Sequence, residues 1–208
     1  MALLRLENGE IFTDIARINA LIGPMEIGIF SAPADFVAYA NDPSTRYDRA
    51  FANRLYTDVA PALEALLDEH GFGFQARRIG VYVPPAQPGD AHQFIALFNG
   101  DGEAEPAPLR DEDFKAYLVP HRFPVLDFHF CFGGTMAKGL KLENGQEAVI
   151  YIFTGEWMRL RPSVLNWPIF QSGSPIVGVS YFAEKENAHG AYDMELHPEY
   201  KPKDVASF

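Results

Sequence analysis

The stretch Leu118-Val-Pro-His-Arg-Phe-Pro-Val-Leu-Asp-Phe-His-Phe-Cys-Phe-Gly-Gly134 decides how this chain reads. Successive side chains of a strand point to opposite sides, so Asp127, His129 and Cys131 share one face while Leu126, Phe128, Phe130 and Phe132 share the other. A strand with one wet side usually carries Thr, Lys or Glu there. An acid, an imidazole and a thiol in alternation predict the inner wall of a small β-barrel with a chemical site inside. If the strand is regular throughout, positions 121, 123, 125, 127, 129 and 131 line that wall together, although Pro124 invites a bulge or an edge position.

Burial among Phe neighbours raises the pKa of an acid unless a metal, a His partner or another cation compensates it. Asp127 and His129 therefore read as a couple, engaged either in acid–base chemistry or in a hydrogen bond that fixes the interior. Cys131 reads as a small core filler, because a thiol needs an electropositive setting to ionise.

Working outward, short apolar runs separated by turn signals dominate after residue 75, the pattern of a mainly β core. Strands are expected near Arg78–Val83, Gln93–Leu97, Val125–Phe132, Thr135–Leu142, Glu147–Phe153, Glu156–Leu160 and Pro175–Phe182, with a hairpin at Asn144-Gly145. Helices lie earlier. Thr13 or Asp14 caps a short one through Ile15, Ile18 and Leu21, ended by Gly23-Pro24. A longer helical region runs from about Tyr47 to His70 on Leu55, Val59, Leu63, Leu66 and Leu67, and Pro61 within it marks a kink or the first turn of a second helix. Residues 99–108 read as an exposed loop and 111–117 as a short helix. The expected organisation is an N-terminal extension with helices (1–75), a β-barrel (76–183) and a polar tail (184–208) able to dock on the barrel or on another subunit through Tyr192, Met194, Tyr200 and Phe208.

The chain has 208 residues, 48% of them hydrophobic, which suits one well-cored domain. Its formal charge of −11 is spread along the chain without a basic cluster, so neither nucleic acid nor an anionic membrane surface is an expected partner. A single Cys131 rules out an internal disulfide. The opening residues lack the pattern of a signal peptide, and a cytoplasmic location is expected.

With these residues in view, the chain resembles the acireductone dioxygenase branch of the cupin superfamily. The likeness rests on Leu3-Leu-Arg-Leu-Glu-Asn-Gly-Glu-Ile-Phe-Thr-Asp-Ile-Ala-Arg-Ile18, on Glu69-His-Gly-Phe72 leading into a strand, on the punctuation at Gly133-Gly134, and on Gly155-Glu156 through Trp167 and Pro175–Phe182. It implies a single cupin (jelly-roll) barrel with N-terminal helices. Members hold iron or nickel through two His separated by one residue, a Glu four residues after the second, and a third His just before a Trp.

Carried over, the first His is His121, the second falls on Phe123, the Glu on Asp127, and the third His on Asn166, beside Trp167. His129 is the natural substitute ligand. His121, Asp127 and His129, with Asn166 as a neutral oxygen donor, would form an incomplete set for Fe(II) or Ni(II). The implied function is a small-molecule enzyme diverged from the methionine-salvage reaction, a dioxygenase with a reworked metal site. The alternatives are a cofactor-free isomerase, cyclase or lyase using Asp127 and His129 as its catalytic couple, with Phe123 and Trp167 shaping the substrate, and a non-catalytic cupin that binds a small ligand. A homodimer would cover exposed strand edges.

Overall fold

In a computed structural model of the chain, residues 1–23, 25–83, 93–98, 107–108, 115–116, 118–170, 175–183 and 194–203 are described. The core is two seven-stranded antiparallel sheets. The first runs, in spatial order, through β14 (Glu195–Leu196), β7 (His121–Arg122), β12 (Asn166–Ile169), β9 (Thr135–Lys141), β10 (Glu147–Phe153), β1 (Leu3–Leu6) and β2 (Ile11–Phe12). The second runs through β3 (Glu26–Ile29), β11 (Glu156–Leu160), β8 (Asp127–Gly133), β13 (Ile176–Phe182), β4 (Ala76–Val83), β5 (Gln93–Phe98) and β6 (Ala107–Pro108). Among the described residues the two ladders do not join, so the β core is a pair of facing sheets where the sequence suggested a closed barrel. Leu4, Ala148 and Ile150 of one sheet meet Ile27, Cys131, Met158 and Leu160 of the other in a buried cluster that fills one part of the space between them.

Each strand expected after residue 75 is present, with ends moved by a residue or two. The Asn144-Gly145 turn joins β9 to β10, and Gly145 supplies the positive φ of 85° that the turn needs. Short strands escaped the sequence reading: β1, β2 and β3 lie within residues expected as a helical extension, and Ala107–Pro108 form a strand inside the expected loop. Two to four residues are too few to show a period. Residues 111–114 and 117 of the expected helix, most of that loop, and Tyr192 and Phe208 of the tail lie outside the described residues.

Helix α1 (Ile15–Ile22) is capped by Asp14, whose carboxylate accepts from the Arg17 amide at 2.8 Å. It buries Ile18 and Ile22 and leaves Leu21 exposed, contrary to the expected face. Helix α2 is Ala34–Ala40, and the long helical region proves to be α3 (Arg49–Arg54) and α4 (Ala60–Glu69), joined by a π-helical turn at Leu55–Val59. Pro61 sits in the first turn of α4, where its missing N–H costs nothing.

Helices α2 to α4 cover the outer face of the second sheet, while α1 packs in the cluster between the sheets. Phe128, Phe130 and Phe132 are all fully buried against Phe36, Phe51, Leu55, Leu63 and Leu67, and Phe36 meets Phe132 edge to face at 5.4 Å. Strand β8 is thus buried on both sides. Fully burying each Phe contributes on the order of 2–3 kcal/mol, which anchors the strand from the side opposite its polar residues.

The docked tail closes the other end. β14 pairs with β7, the Tyr200 hydroxyl donates to Glu147, and the Lys203 amide donates to the same carboxylate at 2.9 Å. Glu156 is buried and accepts from the Ala2 amide at 2.6 Å and the Phe153 amide at 2.9 Å.

Candidate functional site

The face alternation of β8 holds, but it does not extend back to residue 121. His121 pairs with Asn166 in the first sheet, whereas Asp127 pairs with Leu160 and Phe182 in the second, so the chain changes sheets between them. Pro124 lies in that crossing. Phe123 and Val125 occupy it as a small buried cluster with Phe182.

On the inner side of the second sheet, residues opposite one another form rows. His129 on β8 lies opposite Ser180 on β13, which lies opposite Arg78 on β4. The next row is Cys131, Gly178 and Gly80. Both glycines border a cleft beside the polar row, and at Gly178 the absent Cβ lets Met136 approach, since a Cβ there would stand 2.7 Å from Met136 Cε. That cleft has an interior of about 50 Å³ and is lined by the polar residues Arg78, His129, Lys138 and Ser180 and by apolar neighbours that include Tyr82, Met136, Phe170 and Ile176. Its mostly apolar wall with a few polar groups is the kind of lining that small organic molecules bind against.

His129 is the hub. Its Nδ1 lies 2.7 Å from Ser180 Oγ, and its Nε2 lies 2.9 Å from Asp127 Oδ2 and 3.2 Å from Lys138 Nζ. Lys138 Nζ also donates to Asn166 Oδ1 at 3.4 Å, and the Asn166 amide donates to the carbonyls of Val164 and His121 at 3.1 and 3.3 Å. The Asp127 contact is a close charge contact, and neither carboxylate oxygen has a hydrogen-bond partner among the described residues. His121 Nδ1 is 2.7 Å from the Val119 carbonyl, which can only accept, so that nitrogen carries the proton.

The electrostatics sort these groups. Burial pushes the Asp127 carboxyl up, but His129, Lys138 and Arg78 together outweigh it and hold it below the usual range. Burial, reinforced by Lys138 and Arg78, pushes His129 down against the pull of Asp127. Burial likewise lowers His121, to about 4. Near neutral pH the site holds an ionised Asp127 and two neutral imidazoles. Cys131 is pushed up to about 12 by burial and is no nucleophile, as its sequence context suggested.

Not all the sequence candidates converge. Asp127, His129 and Asn166 gather around Lys138 Nζ, and His121 is near enough for its imidazole to feel both Lys138 and Asp127. Phe123 lies behind the cluster, 4.9 Å from the His121 ring and 6.0 Å from Lys138 Nζ, and does not line the cleft. Trp167 pairs with Gly139, lays its indole over that glycine and meets Tyr200 at 5.8 Å under the tail, away from the cleft. Lys138, Ser180 and Arg78 were not read from the sequence. The signal for Lys138 was its parity with Met136, Leu140 and Leu142; for Arg78 and Ser180 it was a face shared with Gly80 and Gly178.

The expected Fe(II) or Ni(II) does not fit this arrangement. Among the described residues no three His, Cys, Asp or Glu side chains converge as metal ligands. His129 Nε2 and Asn166 Oδ1 both face Lys138 Nζ, and a divalent ion drawn to them would meet an ammonium.

No protein-family model matches the chain, and no curated protein matches it. Among solved structures, an acireductone dioxygenase from Bacillus anthracis with a cadmium ion in its active centre superposes with a TM-score of 0.61 at 12% identity, covering 89% of this chain and 95% of that one. At that identity the likeness shows a cupin-like fold and does not carry activity across.

Proposed function

We propose that the chain is a small-molecule enzyme of cupin-like architecture that moves protons with its own side chains, as an isomerase or lyase on an enolisable substrate. The observation that carries this reading is Lys138 Nζ, set 3.2 Å from His129 Nε2 and 3.4 Å from Asn166 Oδ1 where ligand donors were expected. Two groups compete at His129 Nε2. Unprotonated, it accepts from Lys138; protonated, its charge is paired with Asp127, 2.9 Å away. One proton separates the two states, which is what general acid–base catalysis requires.

His129 takes the proton from the carbon beside a substrate carbonyl, and the electron pair moves onto the carbonyl oxygen. Lys138 faces the negative charge that develops there. Returning the proton to a different atom completes an isomerisation, and expelling a β-leaving group completes a lyase reaction. Asp127 stabilises the imidazolium, and Ser180 holds the other ring nitrogen so that the ring keeps its orientation.

The test is proton-for-deuteron exchange on small keto compounds in heavy water, followed by NMR, with metal content measured on the same untagged protein. Exchange that falls about 100-fold or more in His129→Gln supports the reading. Exchange absent over a broad panel, with tight binding, makes the protein a binder. Near-stoichiometric metal that disappears in both His121→Ala and Asp127→Ala overturns the reading in favour of a reworked metal site.

A further inference from the structure

Resting on that reading, we infer that Lys138 does more than face the substrate's carbonyl: its Nζ condenses with the carbonyl carbon, so the enzyme acts on a small aldehyde or ketone held as an imine. Lys138 lines the cleft yet is 3% exposed. Of the described lysines, which are Lys115, Lys138, Lys141, Lys201 and Lys203, it alone is buried. Burying an ammonium is costly, and a carboxylate in direct contact is the usual compensation. Here the hydrogen bonds of Nζ go to two uncharged groups, His129 Nε2 at 3.2 Å and Asn166 Oδ1 at 3.4 Å, while Asp127 meets the same His129 nitrogen at 2.9 Å. Asp127 thus reaches the pair at the imidazole, and the amine itself stands beside a base on the cleft wall.

An amine attacks a carbonyl only after losing a proton, and His129, neutral near neutral pH, is placed to take it. The Nζ–C bond forms as the carbonyl pair moves onto oxygen, and His129 passes the proton there. A second proton follows the same route, the C–O bond breaks, and water leaves as the nitrogen pair closes the C=N bond. Two of the three ammonium protons end on that water and the third stays on the iminium nitrogen, so nothing is oxidised or reduced. The iminium draws electrons more strongly than the carbonyl did. When His129, neutral again, takes the proton from the neighbouring carbon, the pair comes to rest on Nζ as an enamine. Asn166 holds the amine to this path: its side-chain nitrogen donates to the carbonyls of Val164 and His121 at 3.1 and 3.3 Å, which turns Oδ1 toward Nζ. Met136, Ile169 and Ile176 in the lining ask for an apolar body on the carbonyl compound.

The experiment is reductive trapping. The native protein is exposed at neutral pH to limiting formaldehyde, acetaldehyde, propanal or acetone with cyanoborohydride, which reduces an imine to a stable amine, and the adducts are mapped by peptide mass spectrometry. With at least one probe, Lys138 is expected to be labelled about tenfold or more faster than the exposed Lys115, Lys201 and Lys203, against the order of exposure. His129→Gln is expected to slow Lys138 by about 100-fold and to leave the exposed lysines unchanged. Labelling that follows exposure, with Lys138 reached only after unfolding, overturns the inference. Lys138→Arg separates it from the reading on which it rests, because Arg keeps the charge that faces an oxyanion and cannot form the imine. Deuterium exchange on acetaldehyde, propanal or acetone that is lost in Lys138→Arg supports the imine. Exchange that survives in that variant, with no adduct on Lys138 in the wild type, sinks the imine and leaves the acid–base reading standing; an adduct on Lys138 without exchange does the reverse. If either variant does not fold, the wild-type map still decides.

Discussion

Asp127→Asn tests whether the buried carboxylate balances the cations around it. Asn keeps the shape of the side chain and opens no cavity, so the change isolates the charge. Asp127 is 1% exposed, and Lys138 and Arg78 both act on it strongly enough to help hold its pKa down against burial. Removing one partner of a buried charged group leaves the others uncompensated, at a cost of about 3–5 kcal/mol. For a chain of this size each kcal/mol moves the melting midpoint by roughly 2–4 °C, so the variant should melt about 10 °C or more below the wild type near neutral pH. The depressed folded-state pKa sets the pH window. The contribution is fully present above the unfolded-state value of about 3.9 and is lost as pH falls through the lower folded-state value. The assay is urea and thermal unfolding of both proteins from neutral pH into acid. Equal stability at neutral pH, or a gap that stays constant into acid, would refute the charge-balance reasoning.

Three other changes probe the same architecture. Lys138→Met should raise the titration of both His129 and His121, because Lys138 lowers each; ring-proton NMR titrations that show no rise would place the ammonium elsewhere. Gly139→Ala brings a Cβ to 1.9 Å from the Trp167 ring and should destabilise by about 1–3 kcal/mol or more. Gly145→Ala, with a φ of 85° and nothing within 4 Å, should cost only about 1–2 kcal/mol of backbone strain; equal losses in denaturant melts would contradict the packing of Trp167 on the sheet. The thiol of Cys131, fully buried and pushed up to about 12, should react with thiol reagents only as fast as the chain unfolds. Fast labelling of the native protein would show an open route to the interior.

The polar and aromatic faces of β8 were legible because burial on both sides forces side-chain types to separate cleanly by parity. The Asn144-Gly145 turn was legible because its backbone demands a residue at ease with positive φ. The phase of residue 121 relative to 127 was not, since a chain that crosses from one sheet to the other resets its alternation, and Pro124 gave only a hint. Lys138 was missed for a different reason. A lysine on a strand normally marks the wet face, and only its position among Met136, Leu140 and Leu142 betrays an inward one. Arg78 and Ser180 acquire their meaning from cross-strand register with His129, a relation among residues about fifty and a hundred positions apart that no local pattern encodes. Trp167 was expected as an aromatic wall for the substrate, yet it follows Asn166 on a strand, where adjacent residues point to opposite sides.

The alternation on β8 also joins stability to chemistry. Phe128, Phe130 and Phe132 are locked by the helices on one side, and the same backbone carries Asp127 and His129 on the other. A site that holds a neutral imidazole between a carboxylate and an ammonium needs fixed distances, since the balance among the three changes steeply within an ångström or two. A strand buried on one face only would let that geometry breathe. The helical layer supplies the rigidity, and the cleft is lined by Gly178 and Gly80 in the row next to the one that the Phe face holds still.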